Sequence, residues 1–169
     1  MLPDIVGPDP AVVFCGQAGE ASAKSRDHYY ESPGSSFWEC LHLSGMSAER
    51  LGPTDDHRLP SLGLGVTDLV GRPGPDGVRA WADVDDLVAK VERWAPDWLA
   101  FTGKGAAQEA SRALGRRPPR LLGATEWYVG TTQVFVLPGP SGANRRRDYD
   151  GRPTRLAWWR ELAELAGFE

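Results

Sequence analysis

Cysteine and histidine are scarce: Cys15 and Cys40 are the only thiols in 169 residues, and His28, His42 and His57 the only imidazoles. Neither cysteine has a second at ligand spacing and the histidines share no spacing, so no zinc site, iron–sulfur cluster or other metal centre is expected. No Ser-His-Asp arrangement can be argued either. Apolar runs are short, none approaching the roughly 20 residues of a membrane span, so no membrane partner is expected. The opening MLPDIVGPDP has neither a basic region nor a long apolar stretch, which argues against a secretory signal and for a cytoplasmic location. Positive charge is also in deficit: 19 Lys and Arg against 23 Asp and Glu give a net charge of −4. A protein-wide footprint for nucleic acid is therefore missing.

The charge that is present is unevenly placed. Acid concentrates in 83–97, while base gathers at Lys24 and Arg26, at Arg116, Arg117 and Arg120, and from Arg145 to Arg155. Hydrophobic residues at 41% and charged residues at 25% are ordinary for a folded chain. The length suits one domain, residues 1–169. Most of the seven tryptophans, among them Trp38, Trp94, Trp98 and Trp159, stand among apolar neighbours and read as core.

Short apolar runs at AVVFC (11–15), GVTDLV (65–70), DWLAFT (97–102) and QVFVLP (133–138) read as buried strands. Between them lie helical patterns. SSFWECLHLSG starts at a serine cap, DVDDLVAKVERWAP sets Leu87, Val88, Val91 and Trp94 on one face, and GKGAAQEASRALG stops at Gly115. GRPTRLAWWRELAELAG turns Leu156, Trp159, Ala163 and Ala166 inward, and TEWYVGTTQVFVL can form a hairpin about Gly130–Thr131 with residue 128 on an edge strand. The alternation predicts an α/β fold, a three-layer α/β/α sandwich around a short central parallel sheet. Sites in such sheets lie beyond the carboxyl ends of the strands, which selects the loops after Cys15, Thr67 and Leu137.

Those loops hold the candidate chemistry. Gly16-Gln17-Ala18-Gly19 reads either as a phosphate cradle or as a tight strand exit, and it completes no dinucleotide fingerprint; Gly103-Lys104-Gly105 completes no Walker loop. Asp68 is an acid in an otherwise apolar run and must be hydrogen-bonded, solvated or functional. Tyr29-Tyr30 either stack a base or pack on the sheet edge. LPGPSGANRRR (137–147) places a thin Pro/Gly loop ahead of three arginines.

The blocks VVFCGQAGEASA, SPGSSFWECLHLSG, LGVTDLV, LAFTGKGA and VGTTQVFVLPGPSG, in this order and spacing, resemble the mismatch-specific uracil/thymine-DNA glycosylases of the uracil-DNA glycosylase superfamily. The likeness runs from about residue 10 to residue 165. It implies an enzyme of base-excision repair that flips uracil, and beyond it mismatched thymine or related damaged pyrimidines, out of DNA and hydrolyses the N-glycosidic bond to leave an abasic site. No cofactor is implied. The expected partner is double-stranded DNA bearing uracil or a mismatched pyrimidine, with single-stranded DNA also accepted, and the expected enzyme is monomeric and nucleoid-associated. Sibling families are disfavoured, because this chain has Leu137-Pro138-Gly139 where some carry a histidine, and lacks the four cysteines of others. The rival expectations are a noncatalytic DNA- or nucleotide-binding module and an enzyme of phosphorylated small molecules.

Carried over residue by residue, the resemblance departs from its own pattern at the centre. The family's Gly-Ile-Asn-Pro-Gly uses its asparagine to position water; laid onto Gly16 to Glu20, that asparagine falls on Ala18. A methyl group cannot orient water. Asp68, at a position that is Asn or Lys in well-known members, then becomes the expected catalytic residue. The base is expected to meet Gln17 through its backbone N–H, Ala18, Ser22, and Tyr30 by stacking. DNA is expected at Lys24, Pro140, Ser141, Gly142, Ala143, Arg145 and Arg146, the 140–143 loop corresponding to the family's wedge into the base stack. Gly139 replaces the wedge asparagine and Ala143 its bulky plug, which implies a relaxed preference for the opposite base.

Overall fold

A computed structural model of the chain describes residues 2–19, 26–73, 79–80, 84–141 and 148–168. Its six strands are ordered β3-β2-β1-β4-β6-β5. Strands β1 (Val12–Gly19), β2 (Leu64–Pro73), β4 (Trp98–Thr102) and β6 (Thr132–Leu137) run parallel, with β3 (Arg79–Ala80) and β5 (Gly123–Val129) antiparallel at the edges. Helices α1 (Phe37–Leu43), α2 (Val84–Trp94), α3 (Lys104–Ala113) and α4 (Arg155–Leu165) flank the sheet, so the expected α/β sandwich holds. Unpaired strand backbone is costly once buried, and the apolar runs of β1, β4 and β6 are buried almost throughout, as strands inside a parallel sheet must be.

The expected hairpin forms between β5 and β6, its turn at Gly130 with φ +62°, and Tyr128 on the edge strand is exposed. The helical faces hold with one shift: α4 buries Trp158, Trp159, Leu162 and Ala163, while Leu156 and Ala166 are half-buried. Two local expectations are corrected. Gly16 to Gly19 are not a loop: β1 continues through them because β2 extends to Pro73 and pairs Gly16 with Asp68, Gln17 with Leu69 and Ala18 with Val70. The phosphate cradle is thereby lost, since those backbone groups belong to the ladder. Ser36 stands at the start of α1 but its hydroxyl does not cap the helix, because it donates to the Pro140 carbonyl at 3.2 Å. A ten-residue 3-10 helix, Pro53–Leu62, was not expected; Gly52 N–H donating to Asp55 at 2.9 Å and Pro53 at its first turn start it.

The face of the sheet under α1 and α4 carries a column of rings. Phe14 stacks on Trp159 at 5.3 Å and meets Phe37 edge-on at 5.2 Å; Phe37 in turn stacks on Tyr30 at 4.0 Å and 6°. Such ring pairs add about 0.5–1.5 kcal/mol each beyond the area they bury. The column ends at the carboxyl edge of the strands. Packing of the core thereby fixes one wall of what lies there.

Candidate active site

A cavity of about 490 Å³ opens at that edge, lined from five segments that include Gly16, Gln17, Arg26, Tyr30, Asp68, Thr102, Pro140 and Ser141. Its inner corner is built on Gly16. A Cβ there would stand 3.0 Å from Asp68 Oδ1, 3.1 Å from the Tyr30 hydroxyl and 3.2 Å from Thr102 Oγ1, so three oxygens converge where only hydrogen fits. Tyr30 and Thr102 share a hydrogen bond of 2.9 Å. Gln17, one residue on, turns to the other face of β1, towards Gly105 of α3.

Asp68 leaves 9% of its side chain exposed and pairs with Arg26, which leaves 20%. Burial pushes the Asp68 carboxyl above the usual aspartate range; the hydrogen bond and charge of Arg26 pull it back, and Asp4 adds a smaller upward push. Burial, with Asp68 nearby, also raises the Tyr30 phenol well above its ordinary value, so it stays a protonated donor. Cys15, wholly buried beneath the same corner, is raised for the same two reasons and remains a thiol.

The segment that carries Arg26 and Tyr30 is held from several sides. Glu31 accepts from the backbone N–H of Asp27 and His28 at 3.4 and 3.3 Å, and buried Asp56 accepts from the Tyr29 N–H at 3.3 Å. The Tyr29 hydroxyl donates to Pro3 at 3.0 Å and Trp38 Nε1 donates to the Tyr29 carbonyl. Tyr29 is therefore core, and its neighbour Tyr30, at φ +53°, is turned to the cavity by a backbone conformation that these contacts impose. The 138–141 loop is tied as well: Pro140 O accepts from Ser36 N–H at 2.8 Å, and Ser141 O accepts from Arg155 Nη2 at 2.7 Å. A second hollow of about 430 Å³ adjoins the first across Gln17, Thr102, Pro140 and Ser141, with Lys104 ion-paired to Asp150 at 2.7 Å.

The fold thus brings Asp68, Gln17, Tyr30, Pro140 and Ser141 to one cavity. Ala18 does not line it; two residues beyond Gly16 in the ladder, it packs on Val70. Ser22, Lys24, Gly142, Ala143, Arg145 and Arg146 lie outside the described residues. Thr102 escaped the sequence reading, and Gly16 figures there only as part of a phosphate cradle or strand exit. Thr102 ends a strand, the position that the strand-end rule marks, but the loop after β4 was not among those selected. No group of three or more His, Cys, Asp or Glu side chains is placed to hold a metal among the described residues, nor is any helix there long and apolar enough to cross a membrane.

The α/β/α sandwich thus holds a shielded carboxylate, an aromatic ring and the Thr102 hydroxyl in one cavity at its strand ends. Its fold is similar to the solution NMR structure of a "putative Uracil DNA glycosylase" from Methanosarcina acetivorans, with a TM-score of 0.54 at 19% identity over 95% of each chain. The model of the uracil DNA glycosylase superfamily matches residues 3–163, and the chain belongs to that superfamily. Its members are DNA glycosylases, which makes DNA the partner of this fold.

Proposed function

We propose that the protein is a monofunctional DNA glycosylase of the mismatch-specific uracil/thymine type, formed by residues 1–169 as one monomeric domain. It takes uracil, and with lower selectivity mismatched thymine or related damaged pyrimidines, from DNA into the 490 Å³ cavity. The observation that carries the reading is Asp68: a shielded carboxylate on the cavity wall, where the departing base leaves positive charge on the sugar.

The bond between sugar C1′ and the base nitrogen breaks with its electron pair leaving on the base. The oxocarbenium that develops at the sugar is stabilised by the Asp68 charge. Water held by Asp68 Oδ1 adds its oxygen to C1′ and gives a proton to the carboxylate, from which it passes to the base anion. The products are a neutral free base and an abasic sugar. Tyr30, backed by Phe37, offers its ring to the base and, with Thr102, its hydroxyl corner to base or water. Gln17 borders the same space. Pro140 and Ser141 form the DNA-facing rim of the cavity; the same reading assigns DNA contacts to Lys24, Gly142, Ala143, Arg145 and Arg146 and a base contact to Ser22, all outside the described residues.

The test is cleavage of oligonucleotides carrying one uracil or thymine opposite each base, read after alkaline scission, with wild type and Asp68→Asn. Cleavage by the wild type and its loss in the variant is expected. DNA binding without any cleavage would support the noncatalytic module instead, a reading that Ala18 in place of a water-holding asparagine favours.

A further inference from the structure

Arg26 is the unexpected member of the site. The sequence shows it only as part of a basic cluster with Lys24, yet four-fifths of its side chain is buried and it lines the cavity. Among the described residues its hydrogen bond goes to Asp68 Oδ2, while its Nε is buried without a partner. The remaining carboxylate oxygen, Oδ1, is the one turned to the Gly16 corner with the Tyr30 and Thr102 hydroxyls. The two oxygens of one carboxylate are therefore divided between two tasks. A guanidinium suits the first, since it stays charged and its planar fork fixes direction as well as distance.

Resting on the glycosylase reading above, we propose that Arg26 is the positioning residue of the site: it fixes which Asp68 oxygen meets the reacting water and keeps that carboxylate charged while it is shut away from solvent. The groups that bear on Asp68 are few. Asp4 reaches it from the N-terminal segment, itself paired with Lys90 of α2 at 2.8 Å; Cys15 lies beside it on β1; Tyr29, Tyr30 and Glu31 come from the same segment as Arg26. Burial and Asp4 both favour the neutral acid, and Arg26 opposes them. An opposite charge at contact distance lowers a carboxyl pKa by about 1–3 units, enough to decide the balance.

The test compares wild type, Arg26→Gln and Arg26→Lys by single-turnover cleavage of a uracil duplex across pH, and by carbon NMR titration of the Asp68 carboxyl in each protein. In Arg26→Gln the acid limb of the rate and the Asp68 titration should both move up by at least about one pH unit, with the rate recovering towards wild type at high pH. Arg26→Lys should restore most of the titration shift and less of the rate, since it keeps the charge without the fork. A limb and a titration that stay in place, with only DNA affinity reduced, would overturn the proposal and return Arg26 to the phosphate backbone. An Asp68 titration that moves between wild type and Arg26→Gln when neither protein cleaves would instead uphold the pairing and sink the glycosylase reading.

Discussion

Asp68→Asn keeps the volume of the side chain and removes one charge. With 9% of the side chain exposed, little water screens that charge. At about 4 Å and an effective dielectric near 20, a unit charge stabilises a cationic sugar by about 4 kcal/mol. That is about a thousandfold in rate. Arg26 already draws on the carboxylate, so a fall of about 10²–10³-fold in the single-turnover rate is expected, the range seen when a fixed electrostatic partner of a transition state is removed. Stability should change little. Asparagine is spared the desolvation of a buried charge, but it leaves Arg26 without its ion pair, and the two effects oppose. A midpoint shift of no more than about 4 °C is therefore expected, equivalent to about 1 kcal/mol. The assay is cleavage of a uracil duplex by excess protein at neutral pH, with thermal unfolding measured on the same preparation. A variant as stable as the wild type that cleaves within about threefold of its rate, less than 1 kcal/mol in barrier, refutes the assignment.

Other outcomes follow from the same geometry. In the wild type, cleavage should fall as the pH drops through the raised Asp68 pKa, because only the ionised form serves the sugar; the same group stabilises the fold below its unfolded pKa and ceases to as pH rises through the folded one, so rate and stability should trend oppositely on the acid side, a contrast that Asp68→Asn abolishes. Gly16→Ala forces three oxygens at 3.0–3.2 Å to give way, and should cost about tenfold or more in cleavage while uracil DNA still binds. Tyr30→Phe removes the bond to Thr102 and leaves the stack on Phe37, so it should cost less than Tyr30→Ala, which loses both; equal losses would deny the ring a role. Uracil cleavage should vary by less than about a hundredfold, 2.7 kcal/mol, between opposite bases, and a larger ratio measured across the duplex series would contradict the reduced plug at Ala143.

Much of the frame is legible because burial leaves a period in the sequence: the runs around Val13, Leu99 and Phe135 carry β-branched and aromatic residues without polar interruption. Asp68 stands out for the complementary reason, as a charge where the run demands none. What the chain conceals is long-range. Gly16-Gln17-Ala18-Gly19 has the composition of a loop, and only the register against β2 makes it strand. The pairing of Arg26 with Asp68 joins positions 42 apart, and no local pattern distinguishes that arginine from one facing phosphate. Thr102 looks like the ordinary end of a strand until Tyr30 is brought against it by the turn at 26–31.

Ser36 and Phe37 are neighbours at the start of α1, one bonded to the Pro140 carbonyl and the other stacked beneath Tyr30. Arg155 bridges Ser36 Oγ and the Ser141 carbonyl from α4. The ring that would receive a base and the loop that would fill the gap it leaves are thus clipped to the same point of the same helix. Their separation is set before any DNA arrives. On the proposed reading, extraction and replacement are one docking event: the duplex must bend to a gauge already cut in the protein, and a damaged pair is sensed by how little work that bending takes.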